Sequence, residues 1–188
     1  MLQAQALTVE VGGRRVVADA SFTVMPRDKV GIVGRNGAGK TSLFRVLGGA
    51  TEPAAGRVVR KGGFGYLPQD PRIAGVFDGR TAISHVLSGR GIDEELVRIE
   101  KLRIAMDEQP SDRNVERYTR AEERFRLNGG YGAESEARAL AAGLGLGEDR
   151  IEQPVGVLSG GERRRVELAR ILFAGSDVLC LDEPTNHL

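Results

Sequence analysis

The chain has 188 residues, 40% of them hydrophobic, which suffices for one sizeable core with a small subdomain and excludes two full domains. A formal net charge of +1 and a pI near 7.9 exclude a molecule-wide electrostatic footprint for nucleic acid or an anionic membrane, leaving only a local patch to serve such a partner. No run approaches the roughly 18 apolar residues that cross a bilayer, and the first residues lack a basic segment followed by an apolar one, so the chain reads as soluble and cytoplasmic. Its one cysteine, Cys180, cannot pair internally and reads as a small buried hydrophobe in a reducing compartment.

From the N-terminus, LTVEV at 7–11 alternates and residues 16–24 partly do, predicting strands. KVGIVG at 29–34 is a nearly continuous apolar run closing on glycine, the pattern of a buried strand. From Lys40, the run TSLFRVLGG places Leu43, Val46 and Leu47 at helical spacing and stops at Gly48 and Gly49. The unit is therefore strand, glycine loop, helix. Residues 56–70 predict two more short strands broken at Gly62 and Gly63.

Residues 92–127 are rich in Glu, Arg and Leu, and Pro110 with Ser111 divides them into two helical patterns. Leu96, Ile99, Leu102 and Met106 recur in the first half, and Val115, Tyr118, Ala121 and Phe125 in the second. This predicts a charged helical hairpin too short for a coiled coil. Asp93, Glu94, Glu95 and Glu100 balance Arg98, Lys101 and Arg103, so its charges predict a solvated face rather than a basic patch. ESEARALAAGLGLG at 134–147 predicts a helix closed by glycines, residues 158–173 a loop feeding a helix, and residues 177–184 a strand ending in acids. His85 stands alone and reads as structural or surface.

GRNGAGKTS spans Gly34, Arg35, Asn36, Gly37, Ala38, Gly39, Lys40, Thr41 and Ser42, and follows the predicted strand directly. It matches the phosphate-binding loop pattern in its required context. Its glycines let backbone N–H groups converge on an anion at a helix N-terminus; Lys40 would pair with the β and γ phosphates of ATP, and the Thr41 hydroxyl would ligate Mg²⁺. In the run VLCLDE, Asp182 at the strand end is placed to hold Mg²⁺, and Glu183 to orient and deprotonate the attacking water. Ser159, Gly160 and Gly161 precede a helix and can offer a hydroxyl and N–H groups to a γ-phosphate. The same residues suit a helix N-cap.

LSGGE at 158–162 resembles the signature of ATP-binding cassette (ABC) proteins, and Gln69 in YLPQD falls where that family has its Q-loop. The order GRNGAGKTS, YLPQ, LSGGE, LCLDEPT is the family's order and runs through the whole chain. The resemblance implies an α/β fold: a P-loop NTPase (RecA-like) core with an N-terminal antiparallel β subdomain and a helical subdomain carrying a short arm-like hairpin. It places the β subdomain and core in 1–84, the helical subdomain in 85–157 with the hairpin at about 92–127, and the signature helix and Walker B strand in 158–188. It further implies an ATPase with ATP and Mg²⁺ as ligands, with Gln69 joining Thr41 and Asp182 at the metal. Ser159, Gly160, Gly161 and Glu162 would serve the ATP of a second cassette.

The ending with Asn186, His187 and Leu188 resembles the ABC-F group, cytoplasmic proteins with two cassettes in one chain that bind ribosomes and act in translation or antibiotic resistance. The alternative is the ATP-binding subunit of a membrane transporter, with a permease as partner. Val11 stands where the family places an aromatic residue to stack on adenine, a departure that leaves the base contact open. The stop at Leu188 precedes the family's D-loop and switch histidine, which predicts a first cassette cut short, marginally stable and weak or inactive by itself. His187 belongs to the TNHL segment and is not that switch histidine.

Overall fold

The computed structural model describes residues 1–68 and 79–182, which fall into two compact units: Met1–Ile73 with Ala174–Leu188, and Ala74–Phe173. In the first, β1 (Leu2–Val11) lies between β2 (Arg14–Val24) and β3 (Ala55–Arg60), antiparallel to both. β1 buries Leu2 and Ala4, then Leu7 and Val9. That change of parity needs an irregularity, and the register shifts between Ala4 and Leu7, where Ala6 has φ 48°. Opposite the bulge, a Cβ on Gly56 would fall 2.2 Å from the Ala6 carbonyl oxygen, so only glycine fits.

Helix α1 (Lys40–Gly48) packs Leu43, Val46 and Leu47 with the apolar face of β1 and with Cys180. Its C-terminus closes at Gly49, φ 79°, and the Arg60 guanidinium donates to the carbonyls of Leu47 and Val46, both at 2.6 Å. A cation on the last carbonyls of a helix satisfies orphan acceptors and opposes the dipole. β4 (Phe64–Leu67) and β5 (Val178–Leu181) pair in parallel, from Phe64 opposite Val178 to Leu67 opposite Leu181. The Asp177 carboxylate fixes their register by accepting the Gly63 N–H at 2.7 Å. These elements make the mixed α/β unit that the sequence predicts.

The predicted strand at 29–34 is a correction. That segment forms no strand, and Val30 and Val33 are 61% and 95% exposed. A buried parallel strand needs ladder partners and cover on its faces. Among the described residues β5 bonds only to β4. Residues 28–32 instead line one side of an open groove of about 510 Å³ whose other side is β5. Apolar content alone therefore does not make this segment a strand.

The second unit is helical. After Thr81, whose hydroxyl caps it, comes α2 (Ala82–Leu87), then α3 (Ile92–Glu108), α4 (Asp112–Leu127), α5 (Gly130–Gly143), α6 (Glu148–Ile151) and α7 (Gly160–Phe173). Val86, Ala137, Val155, Val166, Ala169 and Phe173 form the centre of its core, each fully buried. His85 is buried and shares a 2.7 Å hydrogen bond with Glu167, which also takes a two-point contact from Arg170, so this histidine is structural. Arg90 lies 4.1 Å over the Phe173 ring and grips Glu136 with both terminal nitrogens. α5 begins four residues before its predicted start, because Gly129 at φ 72° turns the chain there and Gly130 sits against the Phe125 ring.

α3 and α4 make the predicted hairpin. Ser111 caps α4, and the Asn114 side chain donates to the carbonyls of Ala105 and Gln109, tying the turn to the end of α3. Ile99, Leu102, Met106, Tyr118 and Ala121 are half-buried and Phe125 is buried, while Leu96 and Val115 of the predicted stripes are exposed. Arg98, Arg117, Arg120 and Arg124 line one groove between the two helices, where Arg124 pairs with Glu95 and Arg120 with Glu116.

Candidate functional site

The phosphate-loop residues lie in the first unit. Gly37 and Gly39 have φ 78° and 95°, the left-handed backbone that glycine adopts without strain. A Cβ on Gly39 would fall 2.5 Å from that of Val16 on β2, so this glycine is required both by its conformation and by the strand beneath it. Gly39 ends the loop and serves as N-cap of α1, its carbonyl accepting the Leu43 N–H at 2.9 Å. The free N–H groups of the first turn therefore face the loop.

The Lys40 ammonium reaches back across the loop and donates to the carbonyls of Gly34 at 2.8 Å and Arg35 at 3.2 Å. Arg35, Asn36 and Ala38 are exposed, and the Ala38 N–H turns onto the Arg35 carbonyl at 3.1 Å. Asn36, Gly37, Gly39, Lys40, Thr41 and Ser42 line an open cavity of about 580 Å³ together with Val11, Arg14 and Val16. Sequence reasoning missed Arg14. It pairs with Val11 across the Gly12 and Gly13 turn, and that hairpin register was the signal that could have found it.

Asp182 follows β5 and is 1% exposed, its N–H donated to the Leu67 carbonyl at 3.0 Å. Lys40 lines the groove beside β5 as well as the loop cavity, and Asp182 lines the former. Two residues before Asp182, burial pushes the Cys180 thiol up to about 11, so it stays protonated and inert. Gln69, Glu183 and His187 lie outside the described residues.

The signature residues lie in the second unit, at the start of α7. Ser159 and Glu162 form a reciprocal cap: the Ser159 N–H donates to Glu162 Oε2 at 2.7 Å, and the Glu162 N–H to Ser159 Oγ at 3.3 Å. Arg150 on α6 holds both oxygens of the same carboxylate, Nε to Oε1 at 2.6 Å and a terminal nitrogen to Oε2 at 3.0 Å. The guanidinium and the Ser159 bonds hold Glu162 well below the usual carboxylate range, at about 2. Ser159 and Gly160 are exposed at the tip of this turn.

The family described as ABC transporter matches residues 17–186. The chain belongs to the ATP-binding cassette family. That family is one of ATP-hydrolysing domains, and among the described residues of this cassette no helix is long and apolar enough to cross a membrane. The cassette is 38% identical over 192 residues to the tylosin resistance ATP-binding protein TlrC of Streptomyces fradiae, covering 100% of this chain and 35% of that one. It is 33% identical over 182 residues to the energy-dependent translational throttle protein EttA of Haemophilus influenzae, covering 93% and 32% respectively. The chain thus spans about a third of the length of these curated relatives, and they accord with the ABC-F resemblance. Among solved structures, the dimeric cassette of the bacterial ABC transporter MJ0796 superposes with a TM-score of 0.65 at 19% identity, covering all of this chain and 76% of that one. An ATP-binding subunit of an ABC transporter gives 0.67 at 20%, covering 100% and 68%. These last two show the fold.

Proposed function

We propose that this cassette binds ATP with Mg²⁺ at the Gly34 to Ser42 loop and hydrolyses it when paired with a second cassette, the cycle driving a conformational change on the ribosome. The observation that carries the reading is the loop itself: two left-handed glycines, a lysine folded over the loop and the free first turn of α1, all in one cavity. Thr41 and Asp182 are oxygen donors of the kind that suits Mg²⁺, which keeps several waters and phosphate oxygens as its other ligands. Gln69 would complete the metal's surroundings and Glu183 would orient the attacking water. With Val11 in the aromatic position, the base contact falls to the Val11 methyls and the planar Arg14 guanidinium, which line the same cavity.

In this reading Ser159, Gly160 and Gly161 close on the nucleotide of the partner cassette. Residues 1–84, 85–157 and 158–188 then serve as β subdomain with core, helical subdomain with its arm, and signature helix with catalytic strand. The ribosome is supported by the relatives' names, one a translational throttle and one a tylosin resistance protein, and a cytoplasmic location would follow from that role.

The test is Glu183→Gln in the full-length protein. Hydrolysis should fall by about a hundredfold or more while ATP still binds, and the variant should co-sediment with ribosomes in ATP. Recovery in a complex with an integral membrane protein instead would make the chain a transporter subunit.

A further inference from the structure

The signature turn contains an acid at a position that its proposed role makes awkward. Glu162 is ionised across the neutral pH range, yet it lies three residues from a serine whose task, in the reading above, is to meet a terminal phosphate. A free carboxylate there would repel the phosphate and could rotate away from the Ser159 N–H. Arg150 answers both difficulties. It spans both carboxylate oxygens from another helix, leaving one of them also to accept the Ser159 N–H. Side-chain exposures are 19% for Glu162 and 41% for Arg150, so the acid is the more shielded partner of the pair.

We infer that Arg150 is a positioning residue for the signature turn: it neutralises Glu162 and locks it into the cap, so that the Ser159 hydroxyl and the Gly160 and Gly161 N–H groups are presented without an opposing charge. Arg150 itself touches no nucleotide in this scheme. The sequence gives no hint of the link, since twelve residues and a loop separate the partners. This inference rests on the cassette reading proposed above.

The experiment is steady-state ATP hydrolysis by the full-length protein, comparing Arg150→Ala, Arg150→Lys, Glu162→Gln and the double variant Arg150→Ala with Glu162→Gln. Losing one charge-assisted two-point contact should lower kcat/KM for ATP by roughly tenfold in Arg150→Ala, through a raised KM. Arg150→Lys, which keeps the charge and loses the fork, should fall between it and wild type. The double variant removes the charge but keeps an oxygen for the Ser159 N–H, and should recover most of the loss. A purely structural arginine would lower kcat with the folded fraction and leave KM unchanged. Wild-type kinetics in Arg150→Ala, or a double variant no better than Arg150→Ala, overturns the inference; if Arg150→Ala does not fold, Arg150→Lys with and without Glu162→Gln decides the same point. Lys40→Ala separates the two layers of argument, because unchanged hydrolysis in that variant sinks the cassette reading itself.

Discussion

Two glycine-rich turns open helices in this cassette, at Gly39 and at Ser159, and they are held by different means. The phosphate loop is exposed and owes its shape to backbone conformation: left-handed glycines, a strand pressed against one of them, and a lysine bonded to the loop's own carbonyls. The signature turn owes its shape to side chains, a serine and a glutamate capping each other with an arginine holding the acid. A loop shaped by glycine can wrap an anion closely with main-chain donors. A turn shaped by ion pairs is set in advance and tuned by charge, which suits the contact with a partner's phosphate proposed above.

The largest effect is expected from the helical core. Phe173→Ala empties a fully buried site at the end of α7 and should lower the stability of the helical unit by about 4 kcal/mol, read as a shift in the urea midpoint. Amide exchange in α1 should not change; if it accelerates equally, the two turns do not depend on separate units. Next in size is a pair of glycine substitutions. Gly39→Ala meets both a positive φ and the Val16 side chain and should cost about 2 kcal/mol and abolish nucleotide binding. Gly160→Ala meets nothing within 4 Å and should leave the melting temperature level or raise it slightly, since alanine favours a helix start over glycine. Equal destabilisation by both would erase the distinction drawn here.

Acid titration gives the smallest effect. Glu162 has its folded value depressed from 4.5 to about 2, so the stability it contributes is complete above about pH 4.5 and is lost as pH falls toward 2. Glu162→Gln should lower the urea midpoint at pH 7 and converge on wild type as pH falls toward 2, flattening the profile over that window. A profile unchanged by the substitution would mean that the arginine contact is too well solvated to matter.

Much of this was legible beforehand because local rules and tertiary packing agree. α1 and α7 carry helical spacing, glycine or serine entry and glycine stops, and they form where predicted. The strand at 29–34 fails because apolar content says nothing about whether ladder partners stand on either side. α2 was missed because six residues are too few to show a period, although Thr81 was available as its cap. Arg150 was invisible because it acquires its place through a pairing between helices that no linear pattern encodes, whereas the Gly12 and Gly13 turn could have set Arg14 opposite Val11.

The lone thiol offers a use beyond its packing. Cys180 is buried, protonated at neutral pH and only two residues from Asp182, on the strand that pairs with Tyr66 and Leu67. A thiol-specific reagent can therefore modify it only when its packing against α1 and β1 loosens, so the labelling rate is a clock for that opening, free of any introduced chromophore. Following that rate as nucleotide is added would time how the strand leading to the proposed catalytic acids breathes during turnover.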